Sequence, residues 1–245
     1  MSHKLELLDG AYIIADAHYS HKRPELFSLI QDIASKKLQP SQLILMGDIF
    51  DALFGGIPYT YEQNSEIITL INKISLEIKV IYLEGNHDFN LKNVFQNIEV
   101  VSLSSQPLSC QYKGHSVSLA HGDFDGDFAY KLYTSIIRSP FLLFLLRYID
   151  SSTKHSILKK LDSYLGIKDD CKKFIGFKEY IEKRSLESYD SDYFIEGHYH
   201  QNLSFIFEKF NYINLAAFAC NQRYFIVKSF QDNELFLEEK SYKEI

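Results

Sequence analysis

The sequence predicts an α/β fold in which a parallel sheet is followed by a second region of strands. The chain has 245 residues, of which 46% are apolar, so it can bury a full core as one domain, with or without an insertion. Its first half alternates short apolar runs with amphipathic helix patterns, which favours parallel strands joined by helices. Runs of Asp, Asn and His follow the apolar runs, at the strand ends where open α/β sheets bind ligands.

The elements of the first half follow a β-to-α pattern. A strand at residues 12–15 precedes a helix that begins near Pro24 and carries apolar residues on one face. These residues are Leu26, Leu29, Ile30 and Ile33. The next predicted elements are a strand, a helix, a strand and a short helix, at residues 43–46, 62–74, 80–83 and 91–95.

The second half begins with a change to β-rich sequence after residue 100. Strands are predicted at residues 108–112 and 117–120, on either side of a turn at Lys113-Gly114. Residues 126–188 have a helical pattern, and strands return near Tyr193, Leu203, Tyr212, Arg223 and Glu234. The predicted domains are therefore a core of residues 1–125 and 189–245 and an inserted helical cap of residues 126–188.

One stretch of the cap, residues 141–146, is continuously apolar. It is too short to span a bilayer, because a spanning helix needs about 20 apolar residues, and Arg138, Pro140 and Arg147 flank it. Two interpretations stay open: a helix buried under its neighbours, or an apolar patch that contacts the surface of a membrane.

Composition limits the classes of partner and compartment. The net charge of -6 argues against non-specific binding to nucleic acid, which depends on many basic contacts to phosphates. Cys110, Cys171 and Cys220 are widely spaced and form no CxxC pair, so we expect neither a disulfide framework nor a structural zinc site, and a reducing compartment fits best. Residues 1–10 lack a signal-peptide pattern, so we expect a cytoplasmic protein.

Five short polar runs predict a site for two metal ions. Two divalent ions about 3.5 to 4 Å apart need a bridging carboxylate, several imidazoles and open positions. Oxygen ligands mixed with imidazole suit Mn, Fe or Zn, and Mn is the first expectation. The glycines of the runs would let the backbone approach closely. The runs are Asp16-Ala17-His18, Gly47-Asp48-Ile49-Phe50-Asp51, Gly85-Asn86-His87-Asp88, His121-Gly122-Asp123 and Gly197-His198-Tyr199-His200.

These runs, in this order, are similar to the motifs of the calcineurin-like metallophosphoesterase superfamily, and the similarity covers nearly the whole chain. It implies a four-layer α/β/β/α sandwich with an inserted helical cap. It also implies hydrolysis of a phosphoester by metal-hydroxide attack on phosphorus. The ligands that the resemblance implies are Asp16, His18 and His200 for one metal, Asn86, His121 and His198 for the second, and Asp48 bridging both.

Neighbours of the ligands receive roles of their own. The resemblance makes His87 the candidate general acid or phosphate-binding group and, with Asp48, a candidate catalytic residue. Asp51, Asp88 and Asp123 are candidates for orienting the ligating histidines, although ordinary turn residues would have the same pattern. The histidines outside the runs are assigned no chemistry: His3, His21, His115 and His155.

The size and position of the cap resemble those of the UDP-2,3-diacylglucosamine diphosphatases of lipid A synthesis. In that family a helical cap encloses acyl chains over the metal site, so the resemblance implies a nucleotide-lipid substrate that is cut to UMP and a sugar 1-phosphate at the cytoplasmic face of the inner membrane. Basic residues of the cap fit a solvated helix face equally well. The candidate substrate contacts are Asn86, His87, Asp127, Arg138, Arg147 and Lys154.

Other functions stay open. His87 stands where that family usually carries Arg, so a phosphodiesterase or phosphatase of another small nucleotide or phosphoester is the alternative. A protein phosphatase is a third interpretation. A non-catalytic scaffold is less favoured, because all seven implied ligand positions are filled. The oligomeric state is not predicted.

Overall fold

A computed structural model describes residues 5–165, 169–230 and 233–244. In chain order the strands are β1 (Leu5–Glu6), β2 (Tyr12–Ile14), β3 (Gln42–Leu45), β4 (Leu53–Phe54), β5 (Lys79–Leu83), β6 (Asp88–Phe89), β7 (Glu99–Val101), β8 (Leu108–Tyr112), β9 (His115–Ala120), β10 (Tyr193–Glu196), β11 (Leu203–Ile206), β12 (Asn211–Asn214), β13 (Arg223–Ser229) and β14 (Leu235–Ser241). The helices are α1 (Glu25–Ala34), α2 (Pro58–Glu62), α3 (Ser65–Ile74), α4 (Phe128–Ile137), α5 (Pro140–Ser152), α6 (Ser156–Leu165), α7 (Phe177–Glu182) and α8 (Phe218–Asn221).

The strands form two six-stranded sheets. The first has the order β14-β13-β2-β3-β5-β7, and its strands β2, β3, β5 and β7 are parallel. The second has the order β1-β8-β9-β10-β12-β11, with β9, β10 and β12 parallel to one another. The prediction of a parallel sheet followed by a second region of strands is confirmed.

The alternation of side chains along β3 shows how the layers are built. Leu43 and Leu45 pack with the buried faces of α1 and α3, whereas Ile44 and Met46 face residues of the second sheet. Both faces of the first sheet are therefore covered, which explains why its strands read as continuous apolar runs. On the far side of the second sheet, α7 packs its buried side chains against β10 and β12. The resulting order of layers is α/β/β/α, as expected.

Two groups of contacts hold the segment between β9 and β10. Leu143 of α5 and Leu158 of α6 pack on Ile57, which precedes α2, and on Phe89 of β6. Helix α7 belongs instead to the layer over the second sheet. The boundaries of the cap at residues 126 and 188 stay a prediction.

The apolar run 141–146 faces largely outward. Leu143 is 3% exposed, but Phe141 and Phe144 are 77% and 67% exposed. Only one face of α5 points inward, so only part of the run is buried. The interpretation of a fully buried helix is therefore wrong. Within the described ranges no single helix is long and apolar enough to cross a membrane, although α4 and α5 together, bent by 55°, reach that length and composition.

The helix predicted at residues 62–74 corresponds to α3, and a separate short helix, α2, ends at Glu62, where the predicted helix begins. Pro58 stands at the start of α2, and the Asn64 side chain donates to the Thr60 carbonyl at 2.7 Å where α2 ends. Helix α3 then begins at Ser65. An Asn that binds nearby backbone in this way competes with the helix, which accounts for the break.

A disulfide joins Cys171 and Cys220, whose Cα atoms are 5.6 Å apart. The expectation that the cysteines stay unpaired is wrong for these two, and Cys110 is buried and free. The chain after α6 returns beside α8, so two cysteines separated by 49 positions meet.

Candidate metal centre

The predicted ligands lie on loops at one end of both sheets. The carboxyl ends of neighbouring parallel strands meet at one sheet edge, and the face-to-face packing brings the two edges together. The first sheet supplies four residues and the second supplies three. They are Asp16 and His18 after β2, Asp48 after β3, Asn86 after β5, His121 after β9, and His198 and His200 after β10.

Six of these residues, with His87, form three overlapping groups whose nitrogen and oxygen ligand atoms lie within 4.8 Å of one another. Asp48 belongs to two of them, which is the place expected of a bridging carboxylate. The groups are Asp16, His18 and His200; His18, Asp48 and His87; and Asp48, His121 and His198.

Unsatisfied buried atoms show that the site fits divalent cations. Within the described part of the chain, both ring nitrogens of His18 and the Oδ1 atom of Asn86 are buried without a hydrogen-bond partner. Leaving such atoms unpaired costs about 1 to 3 kcal/mol each, and bound cations would satisfy Asn86 Oδ1 and one of the two His18 nitrogens. Imidazole and oxygen donors of this kind suit Mn, Fe or Zn.

Two of the histidine rings are oriented as in metal sites. His121 Nδ1 lies 3.0 Å from the Met46 carbonyl, and His200 Nδ1 lies 2.5 Å from the Asp170 carbonyl. Each ring therefore donates through Nδ1 and directs Nε2 at the centre, which is the arrangement that carbonyl partners impose on ligating histidines. His200 Nε2 is 3.1 Å from Asp16 Oδ1.

Electrostatics set the charge of the ligands. Burial opposes ionisation of Asp16 and Asp48, but His200 holds the pKa of Asp16 below its usual value and His121 holds the pKa of Asp48 well below. Burial, aided by the nearby His121, lowers the pKa of His198 to about 4. Although burial opposes it, Asp16 raises the pKa of His200 to about 9. Although burial opposes it, Asp48 likewise raises the pKa of His121 well above its usual value. At neutral pH Asp16, Asp48 and His198 are thus ready for a metal, whereas His121 and His200 each hold a proton that a metal must displace.

The backbone at five ligand positions adopts the left-handed region. The φ angles are +50° at Asp16, +47° at His18, +48° at Asp48, +63° at His198 and +57° at His200. This conformation is uncommon outside glycine and concentrates at functional sites, where surrounding contacts enforce it.

Two glycines allow the carboxylates to approach the backbone. A Cβ atom on Gly85 would lie 2.2 Å from Asp48 Oδ1, and one on Gly197 would lie 2.4 Å from Asp16 Oδ2. Any side chain at these positions would displace a predicted ligand, so the glycines are part of the site.

Asp88 supports the loop that carries Asp48. Its carboxylate accepts from the backbone N–H groups of Asp48, Ile49 and Gly85 at 3.0, 2.7 and 2.9 Å, and from the Tyr82 hydroxyl at 2.5 Å. It therefore fixes backbone rather than a histidine ring.

The other two acidic neighbours face different partners. Asp51 Oδ1 is 3.4 Å from His18 Nδ1, in position to orient that ring. Asp123 Oδ2 accepts from the Tyr130 hydroxyl at 2.9 Å, which links the metal loop to α4.

The candidate substrate contacts in the cap divide into two groups. Arg138 is 12% exposed and donates to the Gly85 carbonyl at 2.8 Å, beside Asn86. Asp127 caps α4 by accepting from the Tyr130 N–H at 2.8 Å. Arg147 and Lys154 are exposed, and in the described ranges neither side chain bonds to the ligand residues. The structure thus brings Arg138 to the centre and leaves the other three outside it.

A cavity of about 370 Å³ opens beside the predicted ligands and continues under the cap. Asp51, Asn86 and His87 line one end of it. The rest is mainly apolar, with Phe54, Ile57, Phe89, Tyr133, Ile137, Leu143, Leu146, Asp150, Ile157, Leu158, Leu161, Tyr164 and Leu165.

Sequence reasoning missed several charged residues around the centre. Arg23 pairs with Asp170 and lies 4.0 Å from Asp51 Oδ1. Arg184 pairs with Glu196, which ends β10 and is fully buried. Only Glu196 gave a signal, because a carboxylate that ends an apolar strand needs a partner.

Comparison with known proteins identifies relatives. Residues 11–202 match the family model described as calcineurin-like phosphoesterase. Two relatives named UDP-2,3-diacylglucosamine hydrolase, from Pseudomonas fluorescens strains SBW25 and Pf0-1, are 29% and 32% identical over 154 and 155 residues. Each match covers 62% of this chain and 62% of the relative, so it spans less than two thirds of the relative's length. A dimetal phosphatase from Danio rerio superimposes with a TM-score of 0.47 and 12% identity, over 94% of this chain and 95% of that chain.

The family match contains all the residues that converge at the sheet edges, from Asp16 to His200. It covers most of the chain and agrees with the resemblance given by the five polar runs. The chain therefore belongs to the calcineurin-like phosphoesterase family.

Proposed function

We propose that this chain is a dinuclear metal phosphoesterase that hydrolyses UDP-2,3-diacylglucosamine to UMP and 2,3-diacylglucosamine 1-phosphate. The observation that carries the proposal is the contact between a cluster of predicted ligands and a long apolar cavity, with Asn86 and His87 at their border. The names of the Pseudomonas relatives support the same substrate.

The proposed ligand set is the one predicted from the sequence. Asp16, His18 and His200 would hold one ion, Asn86, His121 and His198 the second, with Asp48 between them, and Mn²⁺ is the proposed metal. When bound, the two ions would activate water and neutralise charge on the phosphoryl oxygens.

The proposed role of His87 follows from its hydrogen bonds. Its Nδ1 atom lies 2.9 Å from the Asp51 carbonyl, so Nδ1 donates there and Nε2 faces the centre, 4.0 Å from Asp48 Oδ2. A ring that also carries a proton on Nε2 can bind a phosphoryl oxygen or protonate the leaving oxygen. His87 would thus act at the border between the ions and the cavity.

Arg138 would hold the phosphate end of the substrate. Its guanidinium stacks on Phe89, which lines the cavity, and its Nε atom is buried without a hydrogen-bond partner in the described ranges. Arginine carries five N–H donors, so Arg138 can bind a phosphate oxygen while its Nη2 atom stays on the Gly85 carbonyl.

The apolar side chains of the cap divide between the cavity and the surface. Leu143, Leu146 and Leu161 line the cavity, where they would contact acyl chains. Phe141 and Phe144 point outward and would dip into the cytoplasmic membrane surface from which a lipid substrate is taken. This arrangement would deliver the substrate to the ions without exposing its chains to water.

The test is product analysis of the purified protein with Mn²⁺, UDP-2,3-diacylglucosamine and a generic aryl phosphodiester. We expect release of UMP from the lipid, and loss of all turnover in folded Asp48→Ala and His121→Ala variants. His115→Ala is the matched control, because His115 pairs with Asp192 away from the centre. Near-normal turnover in either of the first two variants would refute the dinuclear site.

A second candidate is a phosphodiesterase of a small nucleotide or another phosphoester. The orientation of His87 favours it, because an alkoxide leaving group needs a proton far more than a phosphate does. In the same assay, cleavage of the aryl ester without UMP release would support this candidate and refute the lipid substrate. Tolerance of His87→Arg on UDP-2,3-diacylglucosamine but not on an alkyl phosphodiester, whose leaving group is an alkoxide, would support the lipid.

A further inference from the structure

A buried arginine outside the polar runs lies against the two loops that carry His121 and His198. Arg184 lies two residues after the end of α7, and its side chain is 6% exposed. Its Nε and Nη2 atoms donate to the two carboxylate oxygens of Asp125, both at 2.8 Å. Its Nη1 atom donates to Glu196 Oε1. The guanidinium is thus held by two carboxylates at once.

The contacts of Arg184 bracket the two ligand loops. Gly122 follows His121, and its carbonyl accepts from Arg184 Nη2 at 3.3 Å and from the Tyr199 hydroxyl at 3.0 Å. The guanidinium also lies over the Tyr199 ring, 5.3 Å from its centroid. In each loop the residue that follows the predicted ligand therefore contacts Arg184: Gly122 after His121, and Tyr199 after His198.

The loops also touch each other directly. The Gly197 N–H donates to the His121 carbonyl at 2.9 Å, and His198 Nδ1 is 3.2 Å from His121 Nε2. Glu196 precedes Gly197 and is fully buried, so its charge needs the guanidinium nearby. The planar guanidinium of arginine can donate to Asp125, Glu196 and a carbonyl at the same time, whereas the single ammonium group of lysine cannot.

The strained backbone explains why such a brace is needed. His198 has a φ of +63°, which is uncommon outside glycine, whereas the φ of +132° in the other loop falls on Gly122, which adopts it without strain. Left-handed residues persist only when surrounding contacts over-determine them. Arg184 supplies such contacts to Gly122 and Tyr199, the residues that follow His121 and His198.

We infer that Arg184 is a positioning residue that holds His121 and His198 at the spacing required for the second metal ion. The inference rests on the two metal ions of the proposed function. It assigns Arg184 to one ion, because its contacts flank His121 and His198. In the described ranges no contact of Arg184 involves Asp16, His18 or His200.

The experiment compares Arg184→Lys with Arg223→Lys, which makes the same change in the half-exposed pair of Arg223 and Glu239 on β13 and β14. Mn²⁺ alone is titrated by calorimetry into each metal-free protein, and electron paramagnetic resonance separates coupled pairs from single ions. In Arg184→Lys we expect one of the two Mn²⁺ ions to dissociate 10- to 100-fold more readily, with the other unchanged. Excess Mn²⁺ should restore kcat, and Arg223→Lys should match the wild type.

A purely structural role would give a different result. A lower melting temperature with both Mn²⁺ dissociation constants within about twofold of the wild type would overturn the inference. Glu196→Gln keeps the size of the pair without its charge, and an unchanged second ion in that folded variant would overturn it as well. Failure of the wild type itself to bind two Mn²⁺ would refute the proposed function, and the inference with it, before any variant is compared.

Discussion

Replacing Gly85 with alanine is predicted to disable the site through a single methyl group. The added Cβ would lie 2.2 Å from Asp48 Oδ1 and 2.5 Å from the Asp48 backbone nitrogen, whereas ordinary contacts are 3.4–4 Å. The backbone nitrogen is fixed by Asp88, so the loop cannot yield freely. The Asp48 carboxylate must therefore move by about 1 Å, the shortfall between these distances.

A shift of this size predicts a large kinetic effect. A misplacement of about 1 Å in a reacting group costs on the order of 100-fold in rate. That factor corresponds to about 2.7 kcal/mol of activation free energy. Because Asp48 is proposed to lie between both ions, the loss should appear in kcat/KM and in the affinity for Mn²⁺ together.

The assay is hydrolysis of an aryl phosphodiester and of UDP-2,3-diacylglucosamine at several Mn²⁺ concentrations. Gly114→Ala is the control, because a Cβ there meets nothing within 4 Å, although its φ of +97° is unfavourable for alanine. That variant should lose about 1 kcal/mol of stability and keep its kcat/KM. A folded Gly85→Ala enzyme with kcat/KM within about threefold of the wild type would refute the close-approach reasoning.

Four further predictions concern protons, ions and membranes. Because Asp16 raises the pKa of His200 to about 9, Mn²⁺ must displace the proton of that ring. The apparent affinity for Mn²⁺ in calorimetric titrations should therefore rise up to tenfold per pH unit between pH 7 and 9. An affinity that does not change with pH would contradict this. In the metal-free protein the same raised pKa stabilises the fold fully below pH 6.5. About 3 kcal/mol of the free energy of unfolding should be lost as the pH rises to 9, which thermal melts would measure. Chelation should abolish turnover and lower the melting temperature, since each ion at 100 times its Kd adds about 2.7 kcal/mol; an unchanged melting temperature would argue against native-state binding. Replacing Phe141 and Phe144 with serine should abolish co-flotation with anionic vesicles while hydrolysis of a soluble aryl ester is kept, and persistent flotation would locate membrane contact elsewhere.

The sequence predicted the convergence of the ligands because strand order fixes it. Asp16 and Asp48 directly follow runs of buried residues, and parallel strands place their carboxyl ends at one edge whatever the loops do. The ends of β9 and β10 join them because the two sheets pack face to face. This part of the site needed no knowledge of side-chain direction.

Features that depend on side-chain direction or on the path of the cap were not predictable. The exposure of Phe144 depends on the rotation of α5, which an all-apolar run does not specify. The bond between Cys171 and Cys220 depends on where the chain emerges from the cap. Arg184 gave no signal, because its role comes from Asp125 and Glu196, which lie 59 and 12 positions away.

Because the proposed ligands come from both sheets, the bound ions would link the two halves of the fold. Asp16 and Asp48 extend from one sheet and His121 and His198 from the other, so the ions cannot be fully coordinated until the sheets have docked. Metal loading would then be a late event in folding. Once loaded, separation of the sheets would require release of the ions, and the same contacts that serve hydrolysis would slow unfolding.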